Sequence, residues 1–593
     1  MPSNKKNDGL IMQAGILASA GIIVRIIGLL YNTPLVAIIG DEGFGYYNNA
    51  YNAYSIILLI SSYSIPSAVS KVIAQRLATK EYRNAHRIFC CAFIYVLVVG
   101  SIASLFVFFG AGLLVEMESA ILPLKVLAPT IFFSGILGVL RGYFQAHRSM
   151  AQTSVSQILE QIINALVSVL AAYLLVKLAT GKDASTVASY GAVGGTIGTG
   201  AGVLSALLFM VGMYALNKKT IKRRIERDTT HEDESYKDIF KMIIMVVTPF
   251  ILSTGIYNIN NFLDNTIYSQ VMMNTRGWAE AEVATGLSAV SKATKIANIP
   301  IALASAMATA LIPGISSDFA KKDFAGAREK VAKSVKVTML IAIPAAVGLG
   351  VLAKPIMKVI FHQPESLDLS SALLSMLAVS VVLYSLSTLT QAVLQSVGRM
   401  NIPIINAAVS IVIHAVVMVV MMRYLNEEYS LYYYILTTVL YALLLCVFNG
   451  ISVRRSIDYR QEVKKTFLLP ALAAAVMGAA AFGVYQGLYY LIKINIIALF
   501  VAIGIACMIY FVLIIKLGAV TESELRSMPK GHLLVKAAKK LKLIRENSDT
   551  EALKRNTAKV KENTKFQEQI INKRKVTTDE SLHADDGDYW LDE

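Results

Sequence analysis

Apolar runs of roughly 20 residues or more recur along the whole chain, separated by short polar stretches. Each is long enough to cross a hydrocarbon core of about 30 Å as an α-helix. Fourteen such runs are read, at 10–38, 46–70, 88–114, 121–145, 151–177, 188–216, 241–272, 282–312, 332–353, 367–397, 402–424, 430–452, 465–490 and 495–516. In lipid every backbone N–H and C=O must be satisfied internally, and runs of this length do so as helices. The pattern predicts an all-α polytopic membrane protein with 14 transmembrane helices. The first run is too long for a cleaved signal peptide and lacks the small-residue cleavage site.

Composition agrees. The chain is 55% hydrophobic and 16% charged, which excludes a soluble globular protein. The net charge of +16 matters through its placement. With the N-terminus inside, that terminus and the even-numbered loops carry 28 Lys/Arg, the outward loops carry 8, and the C-terminal tail adds 16. This asymmetry puts both ends in the cytoplasm. The basic charge is thus a topology signal, and no nucleic-acid partner is expected. Cys90, Cys91, Cys446 and Cys507 lie in apolar runs without metal-ligand spacing and read as small packing residues. No metal site and no cofactor is expected. No phosphate-loop motif is present, which argues against direct ATP drive.

The basic loop at 217–240 divides two halves that resemble each other. Ala78-Thr79-Lys80-Glu81-Tyr82-Arg83-Asn84-Ala85-His86 matches Ala320-Lys321-Lys322-Asp323-Phe324-Ala325-Gly326-Ala327-Arg328 in character. Ser19/Ser253, Gly21/Gly255 and Leu29/Leu263 repeat at one constant offset. The expected organisation is an N-lobe of six helices (1–216), the inter-lobe loop, a C-lobe of six helices (241–452), a terminal helix pair (453–517) and a cytoplasmic tail (518–593). Parallel repeats of this kind place a substrate site between the lobes near mid-membrane. In the tail, His532–Arg545 carries Leu533, Leu534, Ala537, Leu541 and Ile544 on one helical face and lysines on the other, the pattern of an interfacial helix. The acidic end, 579–593, is expected to be disordered.

Polar stripes interrupt the apolar runs. Arg25 sits near the middle of the first and Lys292 and Lys295 in the eighth. A cation at that depth costs at least a few kcal/mol unless it faces water or a partner. Asn32 follows Arg25 by two turns. The second run carries Tyr47, Asn48, Tyr51 and Ser55. The fifth carries Gln157, Glu160, Gln161 and Asn164, and the seventh Tyr257, Asn258, Asn261, Asp264 and Asn265. The eighth adds Ser288, Ser291 and Asn298. Spacings of three and four put each set on one helix face. Lipid penalises these faces, so together they predict an aqueous cavity. Taken singly, the Asn and Ser positions also suit interhelical hydrogen bonding. Asp264 also suits an ion pair with Lys292 or Lys295, and His414 a buried, hydrogen-bonded histidine. The glycines between 191 and 202 form overlapping G-x-x-x-G spacings for close helix packing. The outward Asp41-Glu42-Gly43 reads as a turn.

Several of these segments resemble a known family. Arg25-Ile26-Ile27-Gly28-Leu29-Leu30-Tyr31-Asn32-Thr33-Pro34-Leu35, Ile65-Pro66-Ser67-Ala68-Val69-Ser70-Lys71, and Arg141-Gly142-Tyr143-Phe144-Gln145 through Ser156-Gln157-Ile158-Leu159-Glu160-Gln161 are similar to the SpoVB/YtgP-like polysaccharide-biosynthesis proteins. Asn298-Ile299-Pro300 with Leu311-Ile312-Pro313 adds a fourth match. These belong to the multidrug/oligosaccharidyl-lipid/polysaccharide exporter superfamily and are similar to MurJ-type lipid II flippases. The resemblance implies a bacterial plasma-membrane flippase, not an enzyme, for an undecaprenyl-diphosphate-linked saccharide. It implies Arg25 and Lys295 as diphosphate ligands. Two further family arginines fall on Tyr31 and near Ser61–Ser62, and Lys292 stands to compensate. It places a coupling cation, Na+ or H+, at Asp264, with Asn406 as a second member. Expected partners are the lipid-linked oligosaccharide, membrane lipids and cell-wall synthesis proteins, with the chain itself a monomer. The substrate reading keeps alternatives open: lipid II, a teichoic, capsular or spore precursor, or the cation cargo of a multidrug antiporter. A membrane glycosyltransferase fits less well, because it needs an outward catalytic loop with carboxylates and most outward loops are short, and a scaffold has no use for buried charge.

Overall fold

The computed structural model describes residues 20–543, apart from residues 22, 64, 229–232, 362, 528–530 and 542. The start of the first predicted run and the acidic end at 579–593 lie outside the described residues. Every regular element among the described residues is helical. Eleven helices there are long and apolar enough to cross a membrane.

Residues 20, 21 and 23–30 are helical and run into α1 (Asn32–Leu58). Gly40 interrupts α1 at φ 71°, in the left-handed region that glycine enters without a Cβ penalty. It separates the first predicted run from the second. A π-helical turn, Leu59–Tyr63, leads to α2 (Ile65–Ala78), where Pro66 cannot supply a helical N–H. There follow α3 (Tyr82–Leu114), α4 (Glu118–Ala146), α5 (Met150–Leu178) and α6 (Ala184–Glu226). The second half comprises α7 (Tyr236–Gln270), α8 (Glu280–Ala320), α9 (Phe324–Val351), the short α10 (Ala353–Ile360), α11 (Pro364–Ser396), α12 (Asn401–Tyr424) and α13 (Ser430–Ile457). The terminal pair is α14 (Leu469–Ile492) and α15 (Asn495–Lys516), and the tail holds α16 (Glu522–Ser527) and α17 (Gly531–Lys540). Packing divides the chain into two units, 1–510 and 511–593.

The internal repeat is visible in turn geometry. After α2, Lys80 adopts φ 66° and the Glu81 N–H bonds back to the Arg76 carbonyl at 2.9 Å. After α8, Lys322 adopts φ 62° and the Asp323 N–H bonds back to the Asp318 carbonyl at 2.9 Å. Both turns close the preceding helix with a left-handed residue and start the next one immediately.

The glycine run on α6 packs against α5, as its spacing predicts. A Cβ on Gly194 would overlap the Ala172 backbone, one on Gly198 would overlap Ser168, and one on Gly202 would overlap the Glu160 carbonyl. Gly212, on the same helix, has nothing within 4 Å of such a Cβ. Gly194→Val is therefore expected to lower the thermal unfolding midpoint of the purified protein sharply, since overpacking typically costs about 1–3 kcal/mol. Gly212→Ala is expected to leave the midpoint within a degree or so of wild type, because propensity alone is involved. Outside the membrane, Asp183 caps α6: its carboxylate accepts from the Thr186 N–H at 2.9 Å and hydroxyl at 2.8 Å, which holds its pKa below the ordinary value.

In the tail unit, α17 covers part of the predicted amphipathic segment. Val535 and Ala538 are buried, while Leu533 and Leu541 are 52% and 55% exposed. Of the apolar stripe read from the sequence, Leu533, Ala537 and Leu541 are thus exposed and Leu534 half-buried, and Ile544 lies outside the described residues.

Candidate functional site

The two halves of the chain meet at the end of the bundle where α3 passes to α4 and α7 to α8. Gly45 of α1 lies so close to α8 that a Cβ would overlap the Ala284 carbonyl. The Glu280 carboxylate accepts from the Ser119 N–H at 3.0 Å, and Gln270 donates to Glu116 at 2.6 Å. Gln363 donates to the Val36 carbonyl at 2.9 Å.

At the centre of this seam Lys292 forms an ion pair with Asp41. Its ammonium also donates to the Ser366 hydroxyl at 2.9 Å, and the Ser288 hydroxyl donates to Asp41 at 2.9 Å. Lys292 is 1% exposed. A buried charge of this kind persists only when paired and hydrogen-bonded. In this structure the charge of Lys292 is thus compensated by Asp41. Asp41, expected in a turn, is instead the buried acid of the seam. Glu42 accepts from the Tyr46 hydroxyl at 2.9 Å and the Ser185 hydroxyl at 2.6 Å.

One turn along α8 the arrangement differs. Lys295 donates to the Asn32 side-chain oxygen at 2.8 Å and stands 4.4 Å above the Phe44 ring. It is half-buried, and no carboxylate pairs with it among the described residues. Arg25 lies seven residues before Asn32, about 10 Å along the helix on the same face. Arg25 is exposed, and it too has no carboxylate partner among the described residues. Aromatic rings continue down α1 from Phe44 through Tyr47 and Tyr51 to Tyr54, with successive centroids 5.9, 5.8 and 5.7 Å apart.

The other stripe residues divide. Tyr51, Asn261 and Asn298 are exposed although they lie within predicted spans, while Ser55, Gln157 and Asn164 are half-buried. Ser55 bonds to its own helix at the Tyr51 carbonyl, and Asn164 accepts from Ser168 at 3.0 Å. Gln161 faces the first helix, with its amide nitrogen 3.2 Å from where a Gly28 Cβ would stand. Glu160 is paired: Arg141 of α4 meets its carboxylate at 2.6 Å and the Ser156 hydroxyl at 2.9 Å. The Asn258 side chain lies outside the described residues.

Asp264 pairs with neither lysine. Its partner is His414 of α12, and both side chains are buried. Asn406 does not reach this pair. It donates to Asn449 at 2.9 Å and to Ser452 at 3.1 Å. The expected grouping of Asp264 with Asn406 is thus replaced by Asp264 with His414, since eight residues along α12 separate the two positions by about 12 Å.

An all-helical bundle with eleven helices among the described residues long and apolar enough to cross a membrane, its halves joined by a buried ion pair, has the architecture of a multi-pass membrane protein. Residues 78–502 match the family described as Lipid II flippase MurJ. The chain belongs to that family. It is 23% identical over 481 residues to the Lipid II flippase MurJ of Bacillus subtilis (strain 168), covering 78% of this chain and 86% of that one. It is 25% identical over 405 residues to Stage V sporulation protein B of the same organism, covering 66% and 74%. Among solved structures, a lipid II flippase MurJ in an inward closed conformation superposes with a TM-score of 0.60 at 15% identity, over 84% of this chain and 97% of that one. At that identity the likeness shows the fold alone.

Proposed function

We propose that the protein flips an undecaprenyl-diphosphate-linked saccharide, lipid II of peptidoglycan, from the cytoplasmic to the outer leaflet by alternating access. The observation that carries this reading is a contrast among the mid-depth charges. Lys292 is paired with Asp41, Arg141 with Glu160, and Asp264 with His414. Arg25 and Lys295 have no carboxylate partner among the described residues. Unpaired cations at this depth are costly, and a diphosphate supplies the missing charge. Arg25 offers a planar fork to phosphate oxygens, and Lys295 a point charge about two turns further on.

In this reading fourteen helices span the membrane with both ends cytoplasmic, and the α1–α8 seam closes the outward side. The headgroup enters from the cytoplasm, beside exposed Arg25, Tyr51, Asn261 and Asn298. Its arrival at Lys295 competes with Asn32 for the ammonium. Breaking the Asp41–Lys292 pair then opens the outward side. The polyprenyl chain stays in lipid along α14 and α15, and α17 lies on the cytoplasmic membrane surface. No catalytic step is involved, and a coupling cation supplies direction.

Complementation tests the substrate. Expression in a strain depleted of its lipid II flippase is expected to restore growth. No rescue there, with rescue of a sporulation-precursor defect instead, would move the substrate to the spore class suggested by the sporulation relative.

A further inference from the structure

Lys295 belongs to α8 in the second half, but the groups that hold its ammonium belong to α1 in the first. Asn32 Oδ1 accepts from Nζ at 2.8 Å. Nζ also stands 4.4 Å from the Phe44 ring centroid and 5.6 Å from that of Tyr47. Both rings lie within the roughly 6 Å over which an aromatic face attracts a cation. They are nearly parallel, with 13° between their planes, and both are buried, at 0% and 2% exposure. Such an attraction is stronger at a desolvated ring than at one in water.

Contacts that do not involve the lysine fix this cradle. Asn32 Nδ2 donates to the Gly28 carbonyl, which leaves Oδ1 to face Lys295. The Tyr47 and Tyr31 hydroxyls bond to each other at 3.0 Å. Gly195 of α6 makes room for the Tyr47 ring, since a Cβ there would come within 2.9 Å of it. Gly45, next to Phe44, lets α1 approach the α8 backbone at Ala284.

Lys292, three residues earlier, crosses the same seam to a different kind of partner, Asp41. Were Lys292 to leave, a buried carboxylate would be stranded. Were Lys295 to leave, no charge would be stranded, and only the Asn32 oxygen would give up a hydrogen bond. Of the three N–H bonds of the Lys295 ammonium, one reaches an acceptor among the described residues. The rings attract its charge without accepting a conventional hydrogen bond. An oxyanion supplies both charge and acceptors, and so outcompetes them.

We propose that Asn32, Phe44 and Tyr47 form a neutral latch that holds Lys295 across the seam while no anion is bound, and that an oxyanion taking the ammonium releases it. Phe44 and Tyr47 are thus positioning residues that tie closure of the seam to an empty site. The first clause stands on the geometry alone; the second rests on the anion-binding reading of Lys295 above. Arrival of the anion removes one tie between the halves and leaves the Asp41–Lys292 pair as the other.

The test uses the full chain in lipid nanodiscs without lipid substrate. Phe44 is replaced by mono-, di- and trifluorophenylalanine, which keep the ring's shape and progressively weaken the pull of its face on a cation. Spin labels at the exposed positions Thr180 and Glu428, in the α5–α6 and α12–α13 connections, report the separation of the halves. The four native cysteines are changed to alanine for labelling. The expected result is a closed-to-open ratio that falls with each added fluorine, by roughly 5- to 30-fold over the series. In Lys295→Met the same series is expected to change nothing; Lys295→Gln serves the same purpose if the first variant does not fold. A ratio indifferent to fluorine overturns the latch, and so does an equal response without the lysine. Inorganic pyrophosphate is then expected to open the halves beyond matched sodium chloride, at a lower concentration in the trifluoro form, and not in Lys295→Met. A fluorine series that behaves as expected, with distances that ignore pyrophosphate, leaves the latch standing and overturns its release by an anion.

Discussion

Arg25→Ala and Lys295→Ala are each expected to abolish rescue of a flippase-depleted strain while membrane levels stay normal. The size of the effect follows from the setting. A hydrogen bond to a charged group contributes about 1.5–3 kcal/mol, and the upper end applies where water is scarce. Losing one diphosphate contact therefore slows transport by up to roughly 100-fold. Among the described residues neither side chain has a carboxylate that would be stranded by its removal, so folding is expected to be spared. Arg25→Lys separates two roles. If charge alone matters, lysine retains most activity; if the bidentate fork matters, it does not. Quantitative immunoblotting of membranes alongside growth curves makes the measurement. Full rescue by both alanine variants at normal levels would defeat the anion-binding reading.

The seam is expected to behave in the opposite way. Lys292→Met strands Asp41 in a buried position, and Asp41→Asn strands Lys292. Breaking a buried pair by removing one partner costs about 3–5 kcal/mol, whereas replacing both with neutral groups is often close to neutral. Each single variant should therefore destabilise the closed seam, and Asp41→Asn/Lys292→Met should recover most of it. Gln363 donates to the Val36 carbonyl across the same seam. A cysteine pair at positions 36 and 363 thus reports closure by its cross-linking yield. The yield should fall in both single variants and return in the double one. Two single variants that cross-link like wild type would show that the ion pair does not hold the seam.

The fold was largely legible because its determinants are local. A 20-residue apolar run dictates a helix by itself, without reference to packing. The spacing of Gly194, Gly198 and Gly202 predicted close contact, and the structure supplies α5 as the partner. The repeat was legible too, in the paired turns at Lys80 and Lys322. Site residues were legible only as candidates. Nothing local distinguishes Lys292 from Lys295, three residues apart on one helix, each preceded by a hydroxyl residue (Ser291, Thr294) and followed by an apolar one (Ala293, Ile296). Asp41 sat beside a glycine and read as a turn. The available signal was a buried-looking lysine in need of an acid, with no rule to say which acid, 251 residues away. His414 and Asp264 were each noticed, and their pairing was not, because they lie 150 residues apart on different helices.

What the sequence by itself determined is that the chain is a series of apolar helices and which polar groups interrupt them. Those properties depend on each segment's own solvation. Which of the hidden charges cancel one another was decided only by tertiary structure. Electrostatic pairing acts over a few ångströms, and helix packing alone sets which side chains come that close. Among the described residues the same packing leaves Arg25 and Lys295 without a carboxylate partner, and that asymmetry, invisible along the chain, is what the proposed anion-binding role rests on.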